Sequence, residues 1–254
     1  MLRLDGLGKR FGGLPALDKV SFSVPQGRVT ALIGPNGAGK STLINCISGV
    51  LTPSEGAVTF VGRPITGAPA HQIAHFGIAR TFQNLKLFPR LSVLDNVMTG
   101  LTCEAGRSMC MAMLRLPYLR HRERGLRLRA MEALDRFALS DKAAWPAGVL
   151  AYGDKKRVEL ARATVGNPQL ILLDEPVAGL NAEETAAVAE QLRRLRRSGQ
   201  TLLLVEHDMD LVMEIADQIV VLDSGRCIAT GTPDEVRRNP LVLEAYLGRM
   251  DATA

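Results

Sequence analysis

The chain predicts an α/β fold in which helices cover a parallel sheet, and three observations carry that reading. Val29 to Ile33, Leu170 to Leu173, Leu202 to Val205 and Ile219 to Leu222 are short, continuous apolar runs, the pattern of strands buried on both faces. Helical patterns fall between them, at Lys40 to Ser48, Lys155 to Val165, Glu183 to Arg197 and Met209 to Ala216. A glycine-rich segment, Gly34-Pro35-Asn36-Gly37-Ala38-Gly39-Lys40-Ser41-Thr42, stands between the first of these strands and the first of these helices. Alternation of this kind puts ligand chemistry at the carboxyl ends of the strands.

The remaining elements fill in around that core. Val20 to Val24 and Ala57 to Val61 alternate apolar and polar residues, as half-buried antiparallel strands do. The stretch from Ser92 to Leu139 lacks strand signals, is rich in Met, Leu, Ala and Arg, and reads as a helical lobe broken near Pro117 and Gly125. From Thr232 to Leu247 two helix starts, Thr232-Pro233-Asp234-Glu235 and Asn239-Pro240, each set a cap residue before a proline. No internal repeat and no low-complexity linker interrupts the chain.

Composition narrows the class. With 254 residues, 46% hydrophobic and 22% charged, the chain is globular and long enough to bury a sizeable core. The net charge of +5 admits an acidic partner, but much of the excess lies in Arg115 to Arg129 and Arg193 to Arg197, which read as solvated helix faces. Only 4% of residues are aromatic and none interleave a basic patch, which argues against single-stranded nucleic-acid binding, and no nucleic-acid partner is expected. Cys46, Cys103, Cys110 and Cys227 form no C-x-x-C pair and no metal-ligand spacing with the histidines. Nothing in Met1-Leu2-Arg3-Leu4-Asp5 resembles an export leader, so a reduced, cytosolic setting is expected. No apolar run approaches the roughly 18 residues that cross a bilayer, so membrane association has to run through a partner.

The glycine-rich segment fits the full phosphate-loop pattern, G-x-x-x-x-G-K-S, with a strand before it and a helix after it. Its glycines let the backbone wrap a β-phosphate with several N–H groups turned inward. The following helix adds roughly half a positive charge at its N-terminus. Lys40 is expected on the β/γ-phosphates, Ser41 on Mg2+ and Thr42 at the α-phosphate. This loop alone leaves kinases, GTPases and many ATPases open. A second feature narrows the choice: Leu170 to Leu173 delivers Asp174 to the end of a buried strand, where it can orient a Mg2+-bound water. Glu175 follows, placed to polarise an attacking water as general base.

Together with Leu150-Ala151-Tyr152-Gly153-Asp154-Lys155-Lys156-Arg157, these motifs resemble the ATP-binding cassette (ABC) family. The resemblance implies a P-loop NTPase fold with a RecA-like parallel sheet core, an antiparallel β subdomain and a helical subdomain. Residues 1–91 and 166–231 would form the catalytic core with the β lobe, 92–165 the helical signature subdomain and 232–254 a helical tail. It further implies that ATP and Mg2+ are bound, that Gln83 senses Mg2+ and water and faces a transmembrane partner, and that His207 contacts the γ-phosphate. Phe11 would stack on adenine. Ala151, Tyr152, Gly153 and Asp154 would form the signature loop, and Asn181 the loop beside it, both touching ATP held by a second subunit.

Two departures stand out. Ala151 replaces the usual signature serine and Tyr152 the first glycine, so a charge-assisted hydrogen bond of about 1.5–3 kcal/mol to the partner's phosphate is lost. Asp154 adds a negative charge expected to lie near that phosphate. Asn181 stands where aspartate is usual, keeping hydrogen bonding and losing charge. The Gly153 N–H and the helix dipole remain, so a weakened signature is expected beside a fully equipped hydrolytic set.

The wording of Arg80-Thr81-Phe82-Gln83-Asn84-Leu85-Lys86-Leu87-Phe88-Pro89, Leu150 to Asp154, Ala178-Gly179-Leu180-Asn181 and Val242 to Gly248 is similar to the first of two ATPase subunits of branched-chain amino-acid importers. That similarity spans Leu4 to Gly248, including the helical stretch from Met109 to Arg129. It implies a homologous or identical second ATPase subunit, two transmembrane permeases and, indirectly, a solute-binding protein. The chain would then sit at the cytoplasmic face of the membrane, peripheral through the permeases. Importers of urea, amides or other amino acids, a lipopolysaccharide-type exporter, a soluble cassette acting on nucleic acid or ribosomes, and a regulatory module that never hydrolyses ATP are the alternatives.

Overall fold

The computed structural model describes residues 1–83, 85–101 and 117–247. The chain falls into two compact units. One comprises Met1–Arg80, Gln169–Val177 and Ala189–Ala254, the other Thr81–Pro168 and Ala178–Val188.

Two sheets build the first unit. Strands β1 (Leu2–Phe11), β2 (Leu14–Val24), β4 (Glu55–Phe60) and β5 (Arg63–Pro64) pair antiparallel in the order β2-β1-β4-β5. Its register sets apolar residues face to face: Leu4 opposite Phe22 and Val58, Leu2 opposite Val24 and Phe60, all buried. The larger sheet runs β10-β9-β3-β8-β7-β6, from β10 (Arg226–Gly231), β9 (Gln218–Asp223), β3 (Val29–Ile33), β8 (Thr201–Val205), β7 (Leu170–Asp174) and β6 (Ile78–Arg80). All its pairings are parallel except β10 with β9. Every residue of β3, β7 and β8 is buried, as a parallel sheet covered on both faces requires.

The two faces of that sheet feed two cores, sorted by strand alternation. Leu32, Leu172, Leu203, Val220 and Leu222 join Leu43 and Ile44 of helix α1 (Lys40–Ile47) and the inner face of the antiparallel sheet. Ala31, Ile33, Ile219 and Val221 pack on the opposite side with Val212, Val236 and Val242. Burial of each such Leu, Ile or Val stabilises the fold by about 1.5–3 kcal/mol. Helix α2 (Ala70–His75) precedes β6 and buries Ile73 in the first of these cores.

In the second unit, helices α3 (Val93–Met98), α4 (Pro117–Arg136) and α5 (Tyr152–Thr164) pack together. Ser92 caps α3 by accepting the Asp95 N–H. Fully buried Asn96 accepts the Phe88 N–H and donates to the Phe88 and Ser92 carbonyls, which holds the segment before α3. Contrary to the sequence reading, α4 continues through Gly125: a lone glycine costs a helix only about 1 kcal/mol relative to alanine, and the packing of this helix outweighs it. The expected break at Pro117 is the first position of α4, where the missing N–H does no harm; the residues just before it, 102–116, lie outside the described ones. Cys103 and Cys110 share that position.

Helix α6 (Ala182–Arg197) begins in the second unit and continues into the first, followed by α7 (Met209–Ile215), α8 (Pro233–Arg237) and α9 (Pro240–Leu247). Thr232 and Glu235 form a reciprocal capping box at α8. The basic run at the end of α6 is not simply a solvated face: Arg193 meets Glu190 and Glu214, Arg194 and Arg197 meet Glu190, and Arg196 meets Asp217. Among the described residues no helix is long and apolar enough to cross a membrane.

Candidate active site

The site of the first unit follows from strand register. Leu32 of β3 lies beside Val205 of β8, and Val205 beside Asp174 of β7, so three neighbouring strands end together. The glycine-rich loop leaves the first, His207 the second and Glu175 the third. Gly34 opens the loop at φ 149°, and a Cβ there would stand 2.1 Å from the Leu222 carbonyl oxygen, so only glycine fits. α1 starts at Lys40 with Gly39 as its N-cap, leaving Ser41 exposed on the first turn and Thr42 half-buried.

Lys40 is buried, and its Nζ donates to the Gly34 carbonyl at 2.6 Å and the Pro35 carbonyl at 3.0 Å. Burial lowers its pKa, while the charges of Glu175 and Asp174 pull the other way. Asp174 is 3% exposed, and its Oδ2 accepts from Arg80 Nη2 at 3.0 Å. Arg80 also donates to Asn45 Oδ1 and Ser48 Oγ of the α1 region, tying the end of β6 to both phosphate-side elements.

Glu175 adopts φ 51°, a left-handed conformation rare outside glycine, and its N–H donates to the Val205 carbonyl at 2.9 Å. This turn aims its carboxylate at His207, with Oε1 3.0 Å from Nε2. Among the described residues no group of three or more His, Cys, Asp or Glu side chains could hold a metal alone. Ser41 and Asp174 offer oxygen donors instead. Phe11 is 49% exposed at the end of β1, with Lys9 Nζ 5.2 Å over its ring, so it is no core phenylalanine.

The second unit carries Gln83, the signature stretch and Asn181. Gln83 is exposed in a loop gripped by α5: buried Glu159 accepts the Phe82 N–H at 3.2 Å, and Arg162 donates to the Lys86 carbonyl at 2.5 Å. Asn84 lies outside the described residues. The signature residues are not a turn ahead of the helix, as their glycine suggested: Ala151 is the N-cap of α5, and Tyr152, Gly153 and Asp154 form its first turn.

Asp154 corrects a second expectation. Its carboxylate is turned into its own unit, bonded to Lys142 Nζ at 2.5 Å and to Arg157, so its charge is neutralised there rather than offered to a phosphate. Burial pushes this carboxyl up, yet Lys142 and Arg157 outweigh that and hold it below the usual range. Ala151 supplies no side-chain cap. Glu184 does so instead: its Oε1 accepts the Gly153 N–H at 3.2 Å, and a Cβ on Gly153 would stand 2.6 Å from that oxygen. Its Oε2 accepts the Asn181 N–H, while Asn181 Oδ1 accepts the Glu184 N–H at 2.9 Å. Tyr152 packs beside Gly179, with Lys156 Nζ 5.8 Å from its ring centre.

Sequence reasoning overlooked Arg80, Glu184 and Glu206. Each is a charged residue that acts through backbone or side-chain partners remote in sequence; only the acid set between an apolar strand and a histidine, at Glu206, hinted at a role.

A phosphate loop, a strand-end Asp-Glu pair and a histidine beside it define a P-loop ATPase. Residues 17–178 match the family described as "ABC transporter", and residues 226–252 match "Branched-chain amino acid ATP-binding cassette transporter". The high-affinity branched-chain amino acid transport ATP-binding protein LivG of Salmonella typhimurium is 42% identical over 249 residues, covering 98% of each chain. The ADP conformation of MJ1267, described as an ATP-binding cassette of an ABC transporter, superposes with a TM-score of 0.84 at 36% identity, covering 98% of each chain. The dimeric post-hydrolysis cassette MJ0796, bound to ADP and Pi, gives a TM-score of 0.77 at 26% identity, covering 92% of this chain and 99% of that one. The chain belongs to the ABC transporter family, in the branch of ATP-binding proteins that includes LivG, and is a nucleotide-binding transport ATPase.

Proposed function

We propose that this chain is the ATP-hydrolysing subunit of an importer of branched-chain amino acids, driven by closure of two ATPase subunits on two ATPs. The 3.0 Å contact between Glu175 and His207, at the strand edge that also bears the phosphate loop, carries the hydrolytic part of the reading. In it, Lys40 leaves the loop carbonyls for the β/γ-phosphates, the loop N–H groups and Thr42 hold the phosphate chain, and Phe11 stacks on adenine. Mg2+, when bound, neutralises charge developing on the phosphates. Ser41 and, through water, Asp174 would hold it, oxygen donors that suit a cation keeping several waters. Glu175 polarises the attacking water, and His207 orients that carboxylate and meets the γ-phosphate.

The partners follow from the second unit. Its signature turn and Asn181 would complete the ATP site of a second, homologous or identical subunit. Exposed Phe88 and Leu91 lie on one segment and exposed Trp145 and Val149 on another, and the two are joined by the Val93–Trp145, Ala147–Leu91 and Gly148–Pro89 backbone bonds. That apolar surface suits two transmembrane permeases, which would hold the chain at the cytoplasmic face and link it to a solute-binding protein.

The test is Glu175→Gln in the purified chain, with and without its permeases. Hydrolysis should fall by about 10²–10⁴-fold while ATP binding persists; unchanged turnover would sink the assignment. Uptake of labelled leucine, isoleucine and valine by the reconstituted assembly should depend on this chain, and uptake of urea or an amide instead would overturn the solute.

A further inference from the structure

Glu206 carries no role in the scheme above, yet it is a carboxylate at 3% exposure placed between the two turns of the catalytic pair. Its Oε1 accepts the Val177 N–H at 3.0 Å, on the turn that follows Glu175. Its Oε2 accepts the His207 N–H at 3.0 Å, and the Asp208 N–H also bonds this carboxylate. Apolar Val205 and Val177 flank it, both buried. Burial pushes its carboxyl up and the Glu175 charge adds to this, against the three N–H donors that favour the anion. A charge kept in such surroundings is retained at some expense to stability, which calls for a reason.

The reason lies in what the two turns must do. Glu175 is held at a left-handed φ of 51°, and the His207 loop leaves a neighbouring strand. Strand pairing aligns both up to Asp174 and Val205, and the Glu175 N–H bond to the Val205 carbonyl carries it one residue further. Beyond that point the Glu206 side chain joins the Val177 backbone to the His207 backbone.

We infer that Glu206 is a positioning residue of the hydrolytic step, its carboxylate setting the separation of Glu175 and His207 by clamping the backbones of their two turns. A carboxylate does this because both oxygens accept. Glutamine accepts on one side only and turns an NH2 group against a backbone donor on the other, so it keeps half the clamp. Alanine keeps none. The inference rests on Glu175 and His207 acting as proposed above.

Steady-state hydrolysis and equilibrium ATP binding of the full chain, in Glu206→Gln, Glu206→Ala and Glu175→Gln, test it. A misplacement near 1 Å lowers turnover by about a hundredfold. That loss is expected in kcat for Glu206→Ala and a loss of about tenfold for Glu206→Gln, with the Kd for ATP unchanged in both. Wild-type kcat in both Glu206 variants, beside an impaired Glu175→Gln, would overturn the inference while leaving the proposed chemistry standing. Wild-type turnover in Glu175→Gln would overturn the chemistry itself. Should Glu206→Ala fail to fold, Glu206→Gln decides: kcat falling together with a weakened Kd marks a general loss of structure and refutes a positioning role.

Discussion

The phosphate-loop site and the signature turn are both built around helix N-termini, yet they differ in what supplies the negative partner. At the phosphate loop, Lys40 is held by the Gly34 and Pro35 carbonyls, oxygens that a phosphate group can readily replace. At the signature turn, Ala151 offers no cap, and the Gly153 N–H is taken by the carboxylate of Glu184. The first is a positive cradle with its acids set to one side, and the second already holds an anion of its own. Under the proposed function, the first would serve hydrolysis of the chain's own ATP and the second would complete a partner's site less well.

That asymmetry can be broken or sharpened by three substitutions, the two that act on dimerisation taken from the larger expected effect downward and the one that acts on stability last. Ala151→Ser restores a hydroxyl that can meet the partner's phosphate in a charge-assisted bond of about 1.5–3 kcal/mol, or roughly 10–100-fold in affinity. The ATP concentration for half-maximal dimerisation, followed by light scattering, should fall accordingly. An unchanged midpoint would mean that this loop does not reach the partner's nucleotide.

Glu184→Gln removes a negative charge and weakens the bond at Gly153, while the Asn181 carbonyl still caps α6. The same dimerisation midpoint should drop by about 2–10-fold, the worth of one ordinary hydrogen bond of 0.5–1.5 kcal/mol. A rise in the midpoint would show that Glu184 supports the loop rather than competing for it.

Asp154→Asn leaves Lys142 and Arg157 without their anion and is expected to destabilise the chain at pH 7 by about 1–3 kcal/mol, read by chemical denaturation. Because the folded-state pKa of Asp154 lies below its ordinary value, the stabilisation it brings is complete above about pH 4 and is lost as pH falls through the folded value. The gap between wild type and variant should therefore close in acid. A gap that persists well below pH 4 would place the effect in packing rather than charge.

Legibility differed along the same divide. The phosphate loop, Asp174 and Glu175 could be proposed from residue types and spacings that suit a phosphate chain and a metal-bound water, whereas His207 came only through the family resemblance, and the structure sets it 3.0 Å from Glu175. The buried strands β3, β7, β8 and β9 announced themselves as unbroken apolar runs. β1, interrupted by Gly6 and Gly8, and β6, only three residues long, showed no such pattern; pairing with neighbours makes them strands. The direction of the Asp154 carboxylate was misread because Lys142 lies twelve positions away and on another element.

What the sequence by itself determined is the α/β architecture, the nucleotide loop and the family, since these rest on local periodicity and on motifs whose chemistry is contained in a few consecutive residues. Only the tertiary structure decided which charges are spent inside the protein. Asp154 is neutralised, Glu184 occupies the signature turn, Arg80 holds Asp174, and Glu206 joins the turns of Glu175 and His207. Each outcome depends on backbone N–H groups and side chains brought together from distant parts of the chain, and a carboxylate's role is set by the donors it meets.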